Sequence, residues 1–433
     1  MRAQVVVQAI EGPQKGREFA FDKHDTFIFG RAADCSCSIP NDPFLSSQHF
    51  LLEVNPPECD LRDLGSKNGT FVNGNRFAGK PLRLRNGDVV KAGSTQFSVA
   101  VRSFLDCEAC RKEFEAPANS PSAPRFCPAC GAAEPKLGNL TNFMAGIVKP
   151  MEAEKPPAFP GYTVVKSLGI GGMGTVYLAR RDADGRQVVM KVVRPRGRDV
   201  TDQESKLFRR EMGLALALKH PNIVEFVADG SAQGALFFVM EFCDQGSAAA
   251  LMERSGGRLE LRQAATITLQ ALAGLEYAHS KQIVHRDLKP ANILLAGAGG
   301  GLTAKIADFG LAKNFNLAGL SGMTFSGAEG GTSAFMPKEQ LKDYRHAKPV
   351  SDVFSMAASF YNMLTNEIVY DFRGVDDPCI AILKDRLVPI QKRGLSLPPE
   401  VADVIGRALL PDAGKRYQTA GEFGQALARA ISV

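Results

Sequence analysis

The stretch from Val284 to Phe309 limits what this chain can fold into more than any other. It reads V-H-R-D-L-K-P-A-N-I-L-L and, after a glycine-rich break at Gly297–Gly301, A-K-I-A-D-F. The apolar runs Ile293–Leu295 and Ile306–Ala307 on either side of that break predict two short strands joined by a turn. Asp287, Asn292 and Asp308 stand at the strand ends. Two carboxylates and an amide so placed suit phosphoryl transfer, in which one carboxylate orients an attacking hydroxyl while the other groups hold a divalent ion. The plainer alternative is that Asp287 and Asn292 only cap a turn.

Upstream, Gly169-Ile170-Gly171-Gly172-Met173-Gly174-Thr175-Val176 lies between apolar runs, which predicts a strand, a glycine turn and a second strand. Lys191 ends another apolar run, where an unpaired ammonium is costly. Glu211 sits on the apolar stripe of a predicted helix (Leu207, Phe208, Leu214, Ala215, Leu218) and is costly there too, so a Lys191–Glu211 pair is expected. Taken with His285-Arg286-Asp287-Leu288-Lys289-Pro290-Ala291-Asn292 and Asp308-Phe309-Gly310, the region resembles the eukaryotic-type protein kinase family. The resemblance covers residues 161–431 and implies a two-lobed α+β fold that uses ATP with Mg2+, Mn2+ being an alternative ion.

In that family pattern, Asp287 orients the acceptor hydroxyl and Lys289 sits by the transferred phosphate, as in the serine/threonine branch. Asn292 and Asp308 bind the ion, and Lys191 with Glu211 holds the phosphates. Gly169, Gly171 and Gly174 close over the nucleotide, Val176 and Val189 border the base, and the backbone of Glu241 and Cys243 meets adenine. Cys243 is equally readable as a buried single cysteine. Residues 314–331, with Ser321, Thr324 and Ser326, match an activation loop. The following segment departs from the family's A-P-E by reading Pro337-Lys338-Glu339, but keeps Glu339 and its expected partner Arg416, and Asp352 matches the residue that ties down the catalytic loop.

Residues 1–101 alternate short Val-, Ile- and Phe-rich runs with turns, including K-N-G at 67–69 and V-N-G-N at 72–75, and predict an all-β sandwich. Its motifs, Phe29-Gly30-Arg31, Leu45-Ser46-Ser47-Gln48-His49 and Asp63 to Gly74, resemble the forkhead-associated domain, a phosphothreonine-binding module. The resemblance implies that Arg31 and Ser46 contact phosphate, that Asn68 holds the ligand backbone, and that His49 and Gly69 shape the loops. Arg suits phosphate because its planar fork donates two parallel hydrogen bonds. A sandwich kept only as a scaffold is the alternative.

Between these units, Cys107-x-x-Cys110 and Cys127-x-x-Cys130 have the spacing of one tetrahedral zinc site built from four thiolates, and residues 103–133 resemble a zinc ribbon. An iron–sulfur centre is the other reading. Residues 134–160 carry five prolines and predict a flexible linker that lets the sandwich move relative to the kinase-like unit.

The net charge of +6 is spread without a basic arm, so nucleic-acid binding is not expected. No apolar run reaches the roughly 20 residues needed to cross a bilayer, and no leader is evident, so a cytoplasmic protein without membrane contact is expected. The expected function is serine/threonine phosphorylation of protein substrates. The sandwich would read phosphothreonine proteins or the chain's own phosphorylated loop, in a closed monomer or a transient homodimer. The other function considered is a phosphothreonine-reading scaffold whose kinase-like unit binds ATP without transferring phosphate.

Overall fold

The computed structural model describes residues 2–116, 159–193, 217–309 and 333–432, leaving aside 78, 108–109, 111, 172–173, 233, 299–300 and 345, together with the single residues 129 and 213. Glu211, Cys127, Cys130, Gly310, Thr324 and the segment 134–158 lie outside the described residues.

The N-terminal strands are β1 (Arg2–Glu11), β2 (Glu18–Phe21), β3 (Asp25–Gly30), β4 (Cys37–Ser38), β5 (Phe50–Asn55), β6 (Glu58–Asp63), β7 (Thr70–Val72), β8 (Asn75–Phe77), β9 (Leu82–Arg83), β10 (Val89–Ala92), β11 (Thr95–Asp106) and β12 (Glu113–Ala116). They form two sheets, β2-β1-β11-β10-β7-β8 with β12 on β11, and β4-β3-β5-β6-β9. Phe29, Phe50 and Phe97 pack between the sheets, with ring centroids 4.6–5.9 Å apart. The V-N-G-N signal makes the β7–β8 hairpin, where Asn73 and Gly74 both take positive φ. K-N-G does not make a hairpin. It lies in the connection from β6 to β7, which belong to different sheets.

The sandwich also extends past the expected end at residue 101. β11 continues to Asp106 and pairs with β12, and the Cys107 N–H donates to Lys112 O at 2.9 Å. The first cysteine pair therefore sits on a hairpin of the sandwich sheet.

The C-terminal unit begins with an antiparallel sheet in the order β13-β14-β15-β17-β16, built from β13 (Tyr162–Gly171), β14 (Gly174–Arg181), β15 (Gln187–Val193), β16 (Phe226–Ala232) and β17 (Ala235–Glu241). Phe159 packs on its outer face against Phe237 at 5.0 Å. A mainly helical lobe follows: α1 (Ala248–Arg254), α2 (Leu261–Ser280), the hairpin of β18 (Ile293–Ala298) and β19 (Gly301–Ile306), then α3 (Lys338–Lys342), α4 (Pro349–Thr365), α5 (Pro378–Leu383), α6 (Pro399–Ala408) and α7 (Ala420–Ile431). Its core is centred on α4, where Val353, Phe354, Ala357, Phe360, Tyr361 and Leu364 are buried.

The two units are in contact in this structure. β5 is buried along its whole length. Phe50, Leu52 and Val54 face the sandwich core, while Leu51, with Ile28 and Leu64, joins the core of the helical lobe. Thr26 Oγ1 donates to Leu341 O at 2.6 Å, and Lys342 Nζ pairs with Asp34 at 2.5 Å. Arg62 Nη1 meets Asp377 Oδ2 at 2.8 Å, with Glu53 3.8 Å from the same guanidinium. Composition predicted none of this, because the partners are about three hundred residues apart.

Candidate active site and phosphate-recognition loops

The β18–β19 hairpin sets the catalytic stretch. The short turn Pro290–Asn292 enters β18, and its geometry turns the Asn292 side chain back on Asp287. Asn292 Nδ2 donates to Asp287 O at 2.7 Å and to Asp287 Oδ2 at 3.0 Å, while Lys289 Nζ lies 3.1 Å from the same carboxylate oxygen. Asp287, Lys289 and Asn292 thus form one cluster. Because the amide nitrogen faces Asp287, the carbonyl oxygen of Asn292 is its available metal-ligand atom.

Two of the loop's residues have left-handed backbone, Arg286 at φ 69° and Asp308 at φ 62°. Such conformations persist where the surroundings over-determine them. Asp352, on the first turn of α4, accepts from the backbone N–H of His285 at 2.8 Å and of Arg286 at 2.9 Å, and meets His279 Nε2 at 2.8 Å. Burial raises the pKa of this carboxyl, but these hydrogen bonds and the neighbouring histidines outweigh burial and leave it below the ordinary value. Gln340, fully buried, donates to Arg286 O at 2.5 Å. His285 bonds to Ala307 O at 2.8 Å and packs edge-on against Phe309, which ties the loop before β18 to the segment just after β19.

Lys191 is buried, and its Nζ lies 3.3 Å from both Asp308 oxygens. In the described residues its partner is thus Asp308. The expected partner Glu211 lies outside them. The register pairs Val176 with Lys191 and Val189 with Met240, so these side chains share one sheet face. Gly174 must be glycine at φ 137°, because a Cβ there would sit 1.9 Å from Val192 O. Below this face, Val224, Cys243 and Ala307 form a small apolar cluster with Met240 and Leu294. Burial pushes the Cys243 thiol up to about 12, which makes it an inert packing group. Glu241 does more than lend backbone. Its carboxylate takes the Glu225 N–H at 2.8 Å and pairs with Lys305 of β19 at 2.9 Å, linking the two lobes.

Arg416, fully buried, grips Glu339 through Nη1–Oε1 at 2.6 Å and Nη2–Oε2 at 3.1 Å. The Pro337-Lys338 departure leaves this pair in place. Pro337 precedes the first turn of α3, and Lys338 pairs with Asp385 at 2.5 Å.

On the sandwich, a Cβ at Gly30 would fall 2.2 Å from Ser47 O, so only glycine lets the loop after β3 lie on the loop before β5. The Arg31 N–H then donates to Ser46 O at 2.9 Å, leaving the Arg31 side chain exposed. Ser46 Oγ accepts the Lys67 N–H at 3.0 Å, and Asn68 Nδ2 donates to Phe44 O at 2.7 Å. These bonds bring the loops bearing Arg31, Ser46 and Asn68 together. His49 is buried beneath them. Its Nδ1 accepts the Ser46 N–H at 3.0 Å, so Nε2 carries the proton towards Gly69 O at 3.2 Å, and burial lowers its pKa. Asp42, not singled out from sequence, fixes the same loop by accepting from Phe44, Ser94 and Thr95. Its only signal is an Asp two residues before Phe44, a common turn pattern.

Comparison with known proteins fits this geometry. The protein kinase domain family matches residues 162–425, and the FHA domain family matches residues 27–93. The chain belongs to the protein kinase family. Serine/threonine-protein kinase PknJ of Mycobacterium tuberculosis is 32% identical over 278 residues, covering 63% of this chain and 46% of that protein. PknB of Mycolicibacterium smegmatis is 33% identical, covering 62% and 42%. This kinase chain spans about half the length of these relatives. A crystal structure of Rad53 1-466 in complex with AMP-PNP, 21% identical, covers 98% of each chain at a TM-score of 0.50, and so shares the order and fold of both units.

No helix of the described residues is long and apolar enough to cross a membrane, and no group of three or more His, Cys, Asp or Glu among them could hold a metal ion.

Proposed function

We propose that the chain transfers the γ-phosphoryl group of ATP to serine and threonine hydroxyls of proteins. The observation that carries this is the cluster of Asp287, Lys289 and Asn292 opposite the Lys191–Asp308 pair. Asp287 would accept the acceptor's hydroxyl proton while Asn292 and Lys289 hold its carboxylate in place. Lys289 would also stand by the transferred group, and Lys191 would take the phosphates. The Asp308 carboxylate and the Asn292 carbonyl are hard oxygen donors that fit Mg2+, and the bound ion would neutralise phosphate charge. Glu211 is assigned the second hold on Lys191. The scaffold alternative draws on no comparable feature, since Glu339 and Arg416 remain paired. Intact-mass measurement after incubation with Mg-ATP tests this: the wild type should gain mass in steps of about 80 Da, one per phosphate, and Asp287→Asn should gain none. Equal gain by both would remove the proposal.

The sandwich is proposed to bind phosphothreonine segments, with Arg31 and Ser46 on the phosphate and Asn68 on the ligand backbone. The hydrogen bonds joining these loops support that reading. Phosphorylated proteins and the chain's own loop around Thr324 are both candidate ligands.

A structural zinc is proposed for Cys107, Cys110, Cys127 and Cys130. The support is the hairpin closed by Cys107 and Lys112, which carries the first pair, together with the spacing of the second. One zinc per chain, lost in Cys110→Ser, is the expected analysis, and metal-free native protein would refute it. Cys35, Cys37, Cys59, Cys243 and Cys379 are buried thiols outside any disulfide, which fits a reducing compartment and supports a proposed cytoplasmic location.

A further inference from the structure

The docked arrangement puts α5 of the kinase unit beside the phosphate-recognition loops. Between them lies a cavity of about 320 Å³. Ser46, Ser47 and Leu64 line it from the sandwich, and Ile380, Leu383 and Lys384 from the end of α5. Ser46 is also the proposed phosphate contact, so the cavity opens directly from that site.

We propose that this cavity takes the side chain of a bulky apolar residue flanking the phosphothreonine, so that the kinase helix completes the peptide site. The inference rests on the phosphothreonine reading above. Three observations favour an apolar occupant. Leu64 and Ile380 are buried and Leu383 is half-buried, so these three give the cavity an apolar side facing the polar Ser46, Ser47 and Gln48. The carboxylate in its lining, Asp34, is already paired with Lys342. Lys384 stands exposed at the mouth, where its stem extends the wall while its ammonium stays in water.

The wall is also fixed in place. A Cβ at Gly65 would lie 3.4 Å from Ile380 Cδ1, so the β6–β7 loop and α5 are already in close contact. The Arg62–Asp377 pair anchors the residue just before α5. An extended peptide advances about 3.3 Å per residue, so a side chain within a few positions of the phosphothreonine can reach the cavity. Phe44, 60% exposed next to Asn68, offers a separate apolar contact that owes nothing to the kinase unit. Peptide preference therefore has one component that depends on docking and one that does not.

The test uses the full chain and a series of alanine-based phosphothreonine peptides with one leucine moved through the four positions on either side. Binding is read by fluorescence anisotropy. At one position leucine should tighten binding over alanine by about tenfold, the equivalent of roughly 1.4 kcal/mol. In Leu383→Ser that leucine-to-alanine ratio should fall towards one. The ratio is taken within each protein, so a general loss of affinity does not imitate the effect. As a check that needs no variant, a photo-leucine at the favoured position should cross-link to residues 378–384 of the wild type. A ratio that persists in Leu383→Ser, no favoured position, or cross-links confined to the sandwich would overturn the composite site. Phosphate-dependent binding abolished by Arg31→Ala would meanwhile leave the phosphothreonine reading standing. If no phosphothreonine peptide binds the wild type at all, both readings fall.

Discussion

Arg62 and Asp377 are 315 residues apart in sequence, yet they meet at 2.8 Å in a contact that is almost wholly buried. A pair of this kind is a poor source of net stability, because desolvation offsets the attraction. It is a strong source of position, since each charge left without the other is costly. Glu53 on β5 adds a second carboxylate to the same guanidinium. The sandwich thus holds the kinase unit through a charged contact that tolerates only one geometry.

Replacing Arg62 by Ala should leave Glu53 and Asp377 buried beside each other and weaken docking by about 3 kcal/mol or more. Small-angle scattering should show a larger radius of gyration, and amide exchange should quicken in β5, β6 and α5. The sandwich core should stay folded, because Phe50, Leu52 and Val54 lie on the opposite face of β5. Unchanged scattering and exchange would mean that the apolar contacts of Leu51 and Leu64 hold the units without the ion pair.

His49 gives a pH signature. Burial puts its folded pKa below the ordinary 6.5, so the unfolded chain binds the proton more readily. Its stabilising contribution is therefore complete above 6.5 and is lost as pH falls through the lower folded value. Protonation would also aim a second N–H at the Ser46 amide. Thermal unfolding should show a wild-type loss of stability below pH 6.5 that is smaller in His49→Gln, with phosphopeptide affinity falling in parallel. Identical pH profiles would show that His49 does not carry the effect.

Arg416 and Glu339 should behave as a structural clamp. Arg416→Ala takes the guanidinium from Glu339, which keeps the Ser351 hydroxyl, and removes the donors to Leu410 O and Pro411 O, at a cost of about 3 kcal/mol. Calorimetry should show a clear fall in melting temperature, and Arg416→Lys should recover little, because one ammonium cannot reproduce the bidentate geometry. Full recovery by Lys would mean that charge alone suffices.

Much of this architecture is legible in the sequence, for reasons that particular residues show. Asp287, Asn292 and Asp308 are spaced by a hairpin whose apolar runs and glycine break are local signals. The sandwich reads through Phe50, Leu52 and Val54, whose alternation marks one buried face. The second buried face of β5 does not read, because Leu51 and Glu53 look like an ordinary outer face until the helical lobe is brought against them. Gln340 and Asp42 are missed for a similar reason. Each is a polar residue whose role lies in backbone groups that only the fold brings near. The Lys305–Glu241 link across the lobes likewise depends on which strand passes behind β17.

That link has a consequence for the kinase unit. Lys305→Ala should leave the Glu241 carboxylate with the Glu225 N–H but no cation and loosen the lobes relative to one another, with only a modest effect on stability, about 1 kcal/mol. Nucleotide affinity should weaken several-fold while phosphoamino-acid specificity stays the same. Calorimetric titration with an ATP analogue measures it, and unchanged affinity would confine Lys305 to a surface role.

The central claim concerns hydroxyl phosphorylation by the Asp287 cluster. Its most direct measurement is transfer of labelled γ-phosphate from Mg-ATP to matched serine, threonine and tyrosine peptides by the full chain, alongside Asp287→Asn and Lys289→Ala. The account expects label on serine and threonine, a loss of at least about a hundredfold in either variant, and nucleotide binding retained in Asp287→Asn. Equal transfer by Asp287→Asn, or label confined to tyrosine, would contradict it.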